Sequence, residues 1–454
     1  MTTLVSFVVV IGVLILIHEL GHFFVARWSG VGVERFSIGF GPVLLRWRRK
    51  ETEYCLSAIP MGGYVKMMGE ESPLEGGGSG SVDPAKSFSL KPLWARALIV
   101  FAGPGMNFVL AAAIFAGVFV FVGRPVLPAV LGRIEASGPA EQAGLKTGDR
   151  VVGAEGRPVA HWETLLKAVQ DSGGETIQLL VVRQGEERKV ALTPLRIKVR
   201  DIFGDEREIW NIGARPYTPA KIGEILAGYP AAQAGLKPGD TVVALDETPV
   251  LSWEDLAEGI RKRPGRPVRL TVEREGQTLT VPVTPQPLTE RGPGGETIEV
   301  GRIGISPVMA VAYVRSNPLV AIGEALVRTG DMTVLTAIGL WKLITLQLPA
   351  STIGGPIQIA VSAGEQARQG ITSLAFFTAV ISVNLALLNL LPVPILDGGH
   401  LLFFAIEAAL GRPVSLKKRE MAQQMGFVLL LLLMVFAVYN DLARNADHLF
   451  RFFK

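Results

Sequence analysis

The sequence predicts a polytopic α-helical membrane protein with four transmembrane helices, a membrane-associated β-hairpin sheet and a duplicated α+β module outside the membrane. Three observations carry this. Hydrophobic residues make up 49% of the 454-residue chain and charged residues only 19%, with a mean hydropathy of +0.36, too apolar for an ordinary soluble protein. Four long segments are nearly free of charge. The stretch between Pro125 and Pro285 repeats itself. The net charge is only +4 with a pI near 9.1, and the basic residues cluster beside the apolar segments. That pattern points to membrane orientation, with lipid as the surroundings and no nucleic-acid partner. The single Cys55 excludes an internal disulfide framework.

The first apolar segment, residues 1–30, holds His18-Glu19-Leu20-Gly21-His22. On a helix this spacing stacks two imidazoles at i and i+4 on one face. That suits two ligands of a tetrahedral Zn2+ ion with Glu19 beside it as general base. Leu4 to Ile17 carries no charge, and Leu4 to Arg27 as one helix is roughly 36 Å long, enough to span a bilayer. With no basic start and no small-residue cleavage site, it reads as a retained helix. Charged groups inside such a helix cost roughly 2.5 kcal/mol or more each unless paired, metal-bound or facing water. The competing reading is a chance match or a buried polar cluster, in a chain with only five His.

Residues 31–68 alternate in short runs broken by Gly and Pro and read as β-hairpins at the membrane, with an edge strand able to pair with an extended peptide. Residues 69–92, with Gly76 to Ser81, read as a flexible cytoplasmic linker. Residues 93–123 form the second membrane helix, interrupted by Gly103-Pro104-Gly105-Met106-Asn107. The glycines serve either close helix packing or an opening beside the metal, and the second reading puts Asn107 in a wet, substrate-facing cavity.

The repeat has a constant period. Ala143-Gly144-Leu145-Lys146-Thr147-Gly148-Asp149 matches Ala234-Gly235-Leu236-Lys237-Pro238-Gly239-Asp240, and Trp162, Arg183 and Thr193 match Trp253, Arg274 and Thr284, every pair 91 residues apart. Each copy, over 124–200 and 215–290, resembles a bacterial PDZ domain, which binds extended peptides by strand addition. The resemblance puts Gly132 and Ile134 in one groove, and Gly223 and Ile225 in the other. The pair also reads as a steric filter that binds no particular peptide.

Residues 291–372 read as a linker followed by amphipathic helices on the membrane surface, because Glu324, Arg328, Asp331 and Lys342 interrupt the apolar run. Membrane helices three and four follow at 373–398 and 420–443. Ten Lys/Arg between Arg27 and Arg96, and four between Arg412 and Arg419, put both loops in the cytoplasm. The repeated module is then periplasmic, in the inner membrane of a Gram-negative cell. Helices one and three run the same way, so the His pair and Asp397 reach similar depth near the cytoplasmic side. Two His and one carboxylate, with a fourth position left for water, make a catalytic zinc site. His400 is a rival third ligand, and Asp397 is alternatively a plain interfacial carboxylate.

His18-Glu19-x-x-His22, Gly103-Pro104 through Asn107-Phe108, two PDZ-like copies and Asn389-x-x-Pro392-x-x-x-Leu396-Asp397-Gly398 together resemble the site-2 proteases, in their bacterial branch with tandem periplasmic PDZ domains. The resemblance covers nearly the whole chain. It implies zinc held by His18, His22 and Asp397, with Glu19 activating water, and Asn384 and Asn389 near the substrate. It implies cleavage within single-pass membrane proteins already trimmed by another protease, of the anti-sigma factor type, and of remnant signal peptides. The alternative is a membrane-anchored PDZ scaffold with a vestigial zinc site. A tethered peripheral protease and a transporter fit the motifs less well.

Overall fold

The computed structural model describes residues 2–70, 83–291 and 296–452. The Gly76 to Ser81 run of the expected linker lies outside the described residues. The chain forms two compact units, Met1–Gly123 with Arg315–Lys454, and Arg124–Val314.

In the first unit, helix α1 (Thr2–Trp28) buries Ser6, Val10, Leu14, His18, His22 and Ala26, a stripe recurring every four residues along one face. It stops at Gly30, whose φ of 71° supplies the left-handed cap. Strands β1 (Val33–Arg49) and β2 (Thr52–Met67) are long and bent. Residues Arg35 to Ile38 pair with Glu53 to Leu56 on one edge and with Gly63 to Lys66 on the other. Residues Leu45 to Arg49 pair with the far side of Thr52 to Leu56. The result is a four-stranded ribbon with its outer edges at 43–49 and 62–67. Gly39 makes the bend: its φ is 89°, and a Cβ there would lie 2.8 Å from the Ile59 carbonyl oxygen. Helix α2 (Leu93–Phe121) runs unbroken through Pro104, so the expected interruption is absent.

The second unit holds two cores offset by the repeat. Leu131, Leu165, Ile177 and Leu179 centre one, and Ile222, Leu256, Leu270 and Val272 the other. In the first copy, β3 (Leu131–Ile134), α3 (Trp162–Asp171), β4 (Glu206–Asn211) and β5 (Ala214–Pro216) surround a four-stranded sheet of residues 150–192. In the second, β6 (Ile222–Ile225), α4 (Trp253–Arg261) and β7 (Ile305–Pro307) do the same around residues 241–283. The repeated Asp and Arg are partners. Asp149 and Asp240 are each 1% exposed, and each accepts from its arginine, Arg183 or Arg274, at 2.7 Å. The same arginines donate to the Gly144 and Gly235 carbonyls, clipping down the repeated Ala-Gly-Leu loop. The expected boundaries are too short. Strand β5 pairs with β3 and β7 with β6, so each copy is closed by a strand beyond residue 200 or 290.

The chain returns to the first unit as α5 (Pro318–Ile344), one continuous helix where short surface helices were expected. Its Ala321 and Ala325 pack on Phe115 and Phe119 of α2, which explains the stripe of small residues among the charges. Helices α6 (Pro356–Gln369), α7 (Ile371–Asn389), α8 (Asp397–Leu410) and α9 (Leu416–Phe452) follow. The buried Asp441 of α9 accepts from the Gly355 and Gln358 backbone amides and so caps α6. Among the described residues, four helices are long and apolar enough to cross a membrane: Thr2–Trp28, Leu93–Phe121, Ile371–Asn389 and Leu416–Arg444. The third ends at Asn389, short of the expected boundary at 398.

Candidate metal centre

Three donor groups converge where α1, α2 and α8 meet. The i, i+4 spacing on α1 puts His18 and His22 on its buried face, each 8% exposed, with their Nε2 atoms 3.2 Å apart. After α7, the turn Leu390 to Leu396 reverses the chain and delivers Asp397 as the first residue of α8. The two following glycines are required by that turn. A Cβ at Gly398 would collide with the Leu390 and Leu391 carbonyls, and one at Gly399 with that of Val393. Asp397 Oδ2 then lies 3.1 Å from His18 Nε2, and Oδ1 lies 3.5 Å from His22 Nε2.

These atoms fit a zinc ion. Tetrahedral ligands at ~2.0–2.1 Å stand roughly 3.3 Å from one another, and the three donor pairs fall around that value. The donor set, two imidazole nitrogens and a carboxylate oxygen, leaves one position open. Glu19 is buried beside them, with its side chain passing over β2, where a Cβ at Gly63 would be 2.9 Å from Glu19 Cγ. The backbone of α2 closes the other side: a Cβ at Gly103 would collide with His22 Nε2, and one at Gly21 with the Ala102 carbonyl. Close packing therefore accounts for Gly103.

The remaining sequence candidates separate. Asn107 is fully buried, with its side-chain amide 3.3 Å from His18 Nδ1, and does not open onto a wet cavity. Asn384 accepts from Thr336 of α5 at 2.8 Å. Asn389 is half-buried at the end of α7. His400, one turn beyond Asp397, stands outside the donor cluster and lines a cavity of about 340 Å³ with Glu70, Arg96 and Arg419. Gly132 and Ile134 lie on β3, which β5 covers along one edge, while residues 149–151 bond only to Ala129–Leu131 at its start. Gly223 and Ile225 of β6 are likewise covered along one edge by β7, while residues 240–242 bond only to Ala220–Ile222. Strand addition is blocked on the edges of β3 and β6 that β5 and β7 occupy. The sequence signal for them was the same period: Ile212-Gly213-x-x-Pro216 and Ile303-Gly304-x-x-Pro307 are also 91 residues apart. The Ile99 carbonyl and Ser382, which fix the centre from α2 and α7, carry no sequence signal.

A family profile described as peptidase family M50 matches residues 6–433. The chain belongs to peptidase family M50. It is 37% identical to the regulator of sigma-E protease RseP of Salmonella typhimurium over 97% of this chain and 98% of that one. It is similarly 37% identical to the RseP of Escherichia coli, over 97% and 98% of the two chains. A Vibrio cholerae protein named as a zinc metalloprotease is 35% identical over the same shares. The PDZ domain of an SdrC-like protein from Listeria monocytogenes aligns with 21% of this chain and 92% of its own at 18% identity, with a TM-score of 0.16. This M50 member is an intramembrane zinc metalloprotease: the His-Glu-x-x-His motif lies inside a helix long and apolar enough to cross the membrane.

Proposed function

We propose that His18, His22 and Asp397 hold the zinc ion and that Glu19 is the general base for hydrolysis of peptide bonds within transmembrane segments. The convergence of those three side chains, from helices far apart in sequence, carries the reading. When bound there, zinc supplies a Lewis acid and acidifies water. Glu19 takes the water proton and returns it to the departing amine. The outer edge of Gly62 to Met67 passes Glu19 and meets no further strand among the described residues. It pairs with the substrate, whose helix must unwind because helical hydrogen bonds shield its carbonyls. Asn389 and Asn384 stand near the approach, on the last turns of α7.

The substrates are single-pass membrane proteins already shortened by another protease, of the anti-sigma factor type, together with remnant signal peptides. The names of the relatives support the first class. The basic loops favour an inner-membrane orientation with Arg124–Val314 in the periplasm and the metal centre near the cytoplasm. In detergent, wild type is expected to cut a trimmed single-pass substrate. Glu19→Gln should keep zinc and lose cleavage, and Asp397→Asn should lose both. Equal cleavage by all three would sink the assignment. Bound zinc with no cleavage of any trimmed substrate would favour the scaffold reading.

A further inference from the structure

The two histidines are oriented from behind by different groups. His22 Nδ1 lies 2.9 Å from the Ile99 carbonyl oxygen. A carbonyl only accepts, so Nδ1 carries the proton and Nε2 presents its lone pair to the centre. His18 needs the same tautomer, because its Nε2 also faces the centre, 3.1 Å from Asp397 Oδ2. Behind it stands the Asn107 side-chain amide, its nearer end 3.3 Å from His18 Nδ1.

An amide nitrogen facing His18 Nδ1 does not suit a metal site. An amide nitrogen only donates, so Nδ1 would have to accept and the proton would sit on Nε2, where the metal belongs. Amide oxygen and nitrogen are interchanged by a half-turn that leaves the shape unchanged, and the hydrogen-bond chemistry decides between the two. The residue has no room to swing away. It is 0% exposed, and its carbonyl is held by Ser382 Oγ of α7 at 2.7 Å.

We infer that Asn107 is a positioning residue whose Oδ1 accepts the Nδ1 proton of His18 and so fixes the tautomer that leaves Nε2 free for zinc. This rests on the ligand set proposed above. The half-turn moves the N–H2 group to the buried side of the amide that has no hydrogen-bond partner among the described residues. Such acceptors behind metal-bound imidazoles typically change metal affinity by about 10–100-fold when removed.

The test is zinc affinity of the full chain in detergent, by competition with a chelator, for Asn107→Asp and Asn107→Leu. Aspartate keeps the acceptor and has no donor, so Asn107→Asp should bind zinc at least as tightly as wild type. Leucine keeps the volume without the acceptor, and should bind about 10–100-fold more weakly. A loss in Asn107→Asp would mean that the N–H is the needed group and would overturn the inference, whether or not Asn107→Leu folds. Equal affinity in both variants would also overturn it. His18→Ala separates the two levels: retention of zinc there would refute the ligand set itself.

Discussion

Gly103 of α2 stands directly against His22 of α1, so that a single added methyl group would collide with the imidazole Nε2. The two helices cross at the level of the donor cluster because neither Gly21 nor Gly103 has a side chain there. Gly103→Ala should therefore weaken zinc binding by about 10–100-fold, the range typical of disturbed support around a metal ligand. Helix propensity alone predicts the opposite, a gain of up to about 1 kcal/mol. Wild-type zinc affinity in Gly103→Ala would show that the crossing has slack.

The buried Asp–Arg pairs of the second unit make its stability depend on pH. Burial pushes the Asp149 carboxyl up, but Arg183 and the Lys146 amide outweigh that and hold it below its usual value. Arg274 does the same for Asp240. A lowered carboxyl stabilises the fold at pH values above its unfolded pKa of ~3.9, and that stabilisation is lost as pH falls through the lower folded value. Calorimetry of the intact chain should show the transition of this unit dropping below about pH 4, and dropping less in Asp149→Asn/Asp240→Asn. Arg183→Met leaves a buried carboxylate unpaired and should cost about 3–5 kcal/mol at neutral pH. An equally steep acid transition in the double variant would assign the effect to other groups.

Gly132→Ala and Gly223→Ala should destabilise their own copies, because each methyl would lie 2.7 Å from a backbone oxygen, of Pro216 or Pro307. The expected loss is about 1–3 kcal/mol each, seen as a lower melting temperature of that copy. Unchanged melting would mean that β5 and β7 are held loosely against β3 and β6.

Much of this was legible in the chain itself. His18, Glu19 and His22 are adjacent in sequence, and the fixed 100° step of a helix turns their spacing into a shared face. The duplicated module showed in its period, since Asp149 and Arg183 recur together wherever the loop they clip recurs. The four spans followed from length and the cost of charge in lipid. Misreadings arose where a local cue met a distant partner. The charges of α5 gave no hint that its alanines pack on α2. Gly132 and Gly223 looked like groove positions and are crossing points for strands that arrive more than eighty residues later.

The sequence by itself determined the membrane helices, the repeated module and the shared helix face of His18 and His22, because each is written in local spacing or in a pattern that recurs at a fixed period. Only the tertiary structure decided that Asp397 reaches the two imidazoles, that Asn107 stands behind His18, and that β5 and β7 pair with β3 and β6. Those relationships join segments distant in sequence. They are set by which backbones approach closely enough to exclude a side chain, and no local pattern records that.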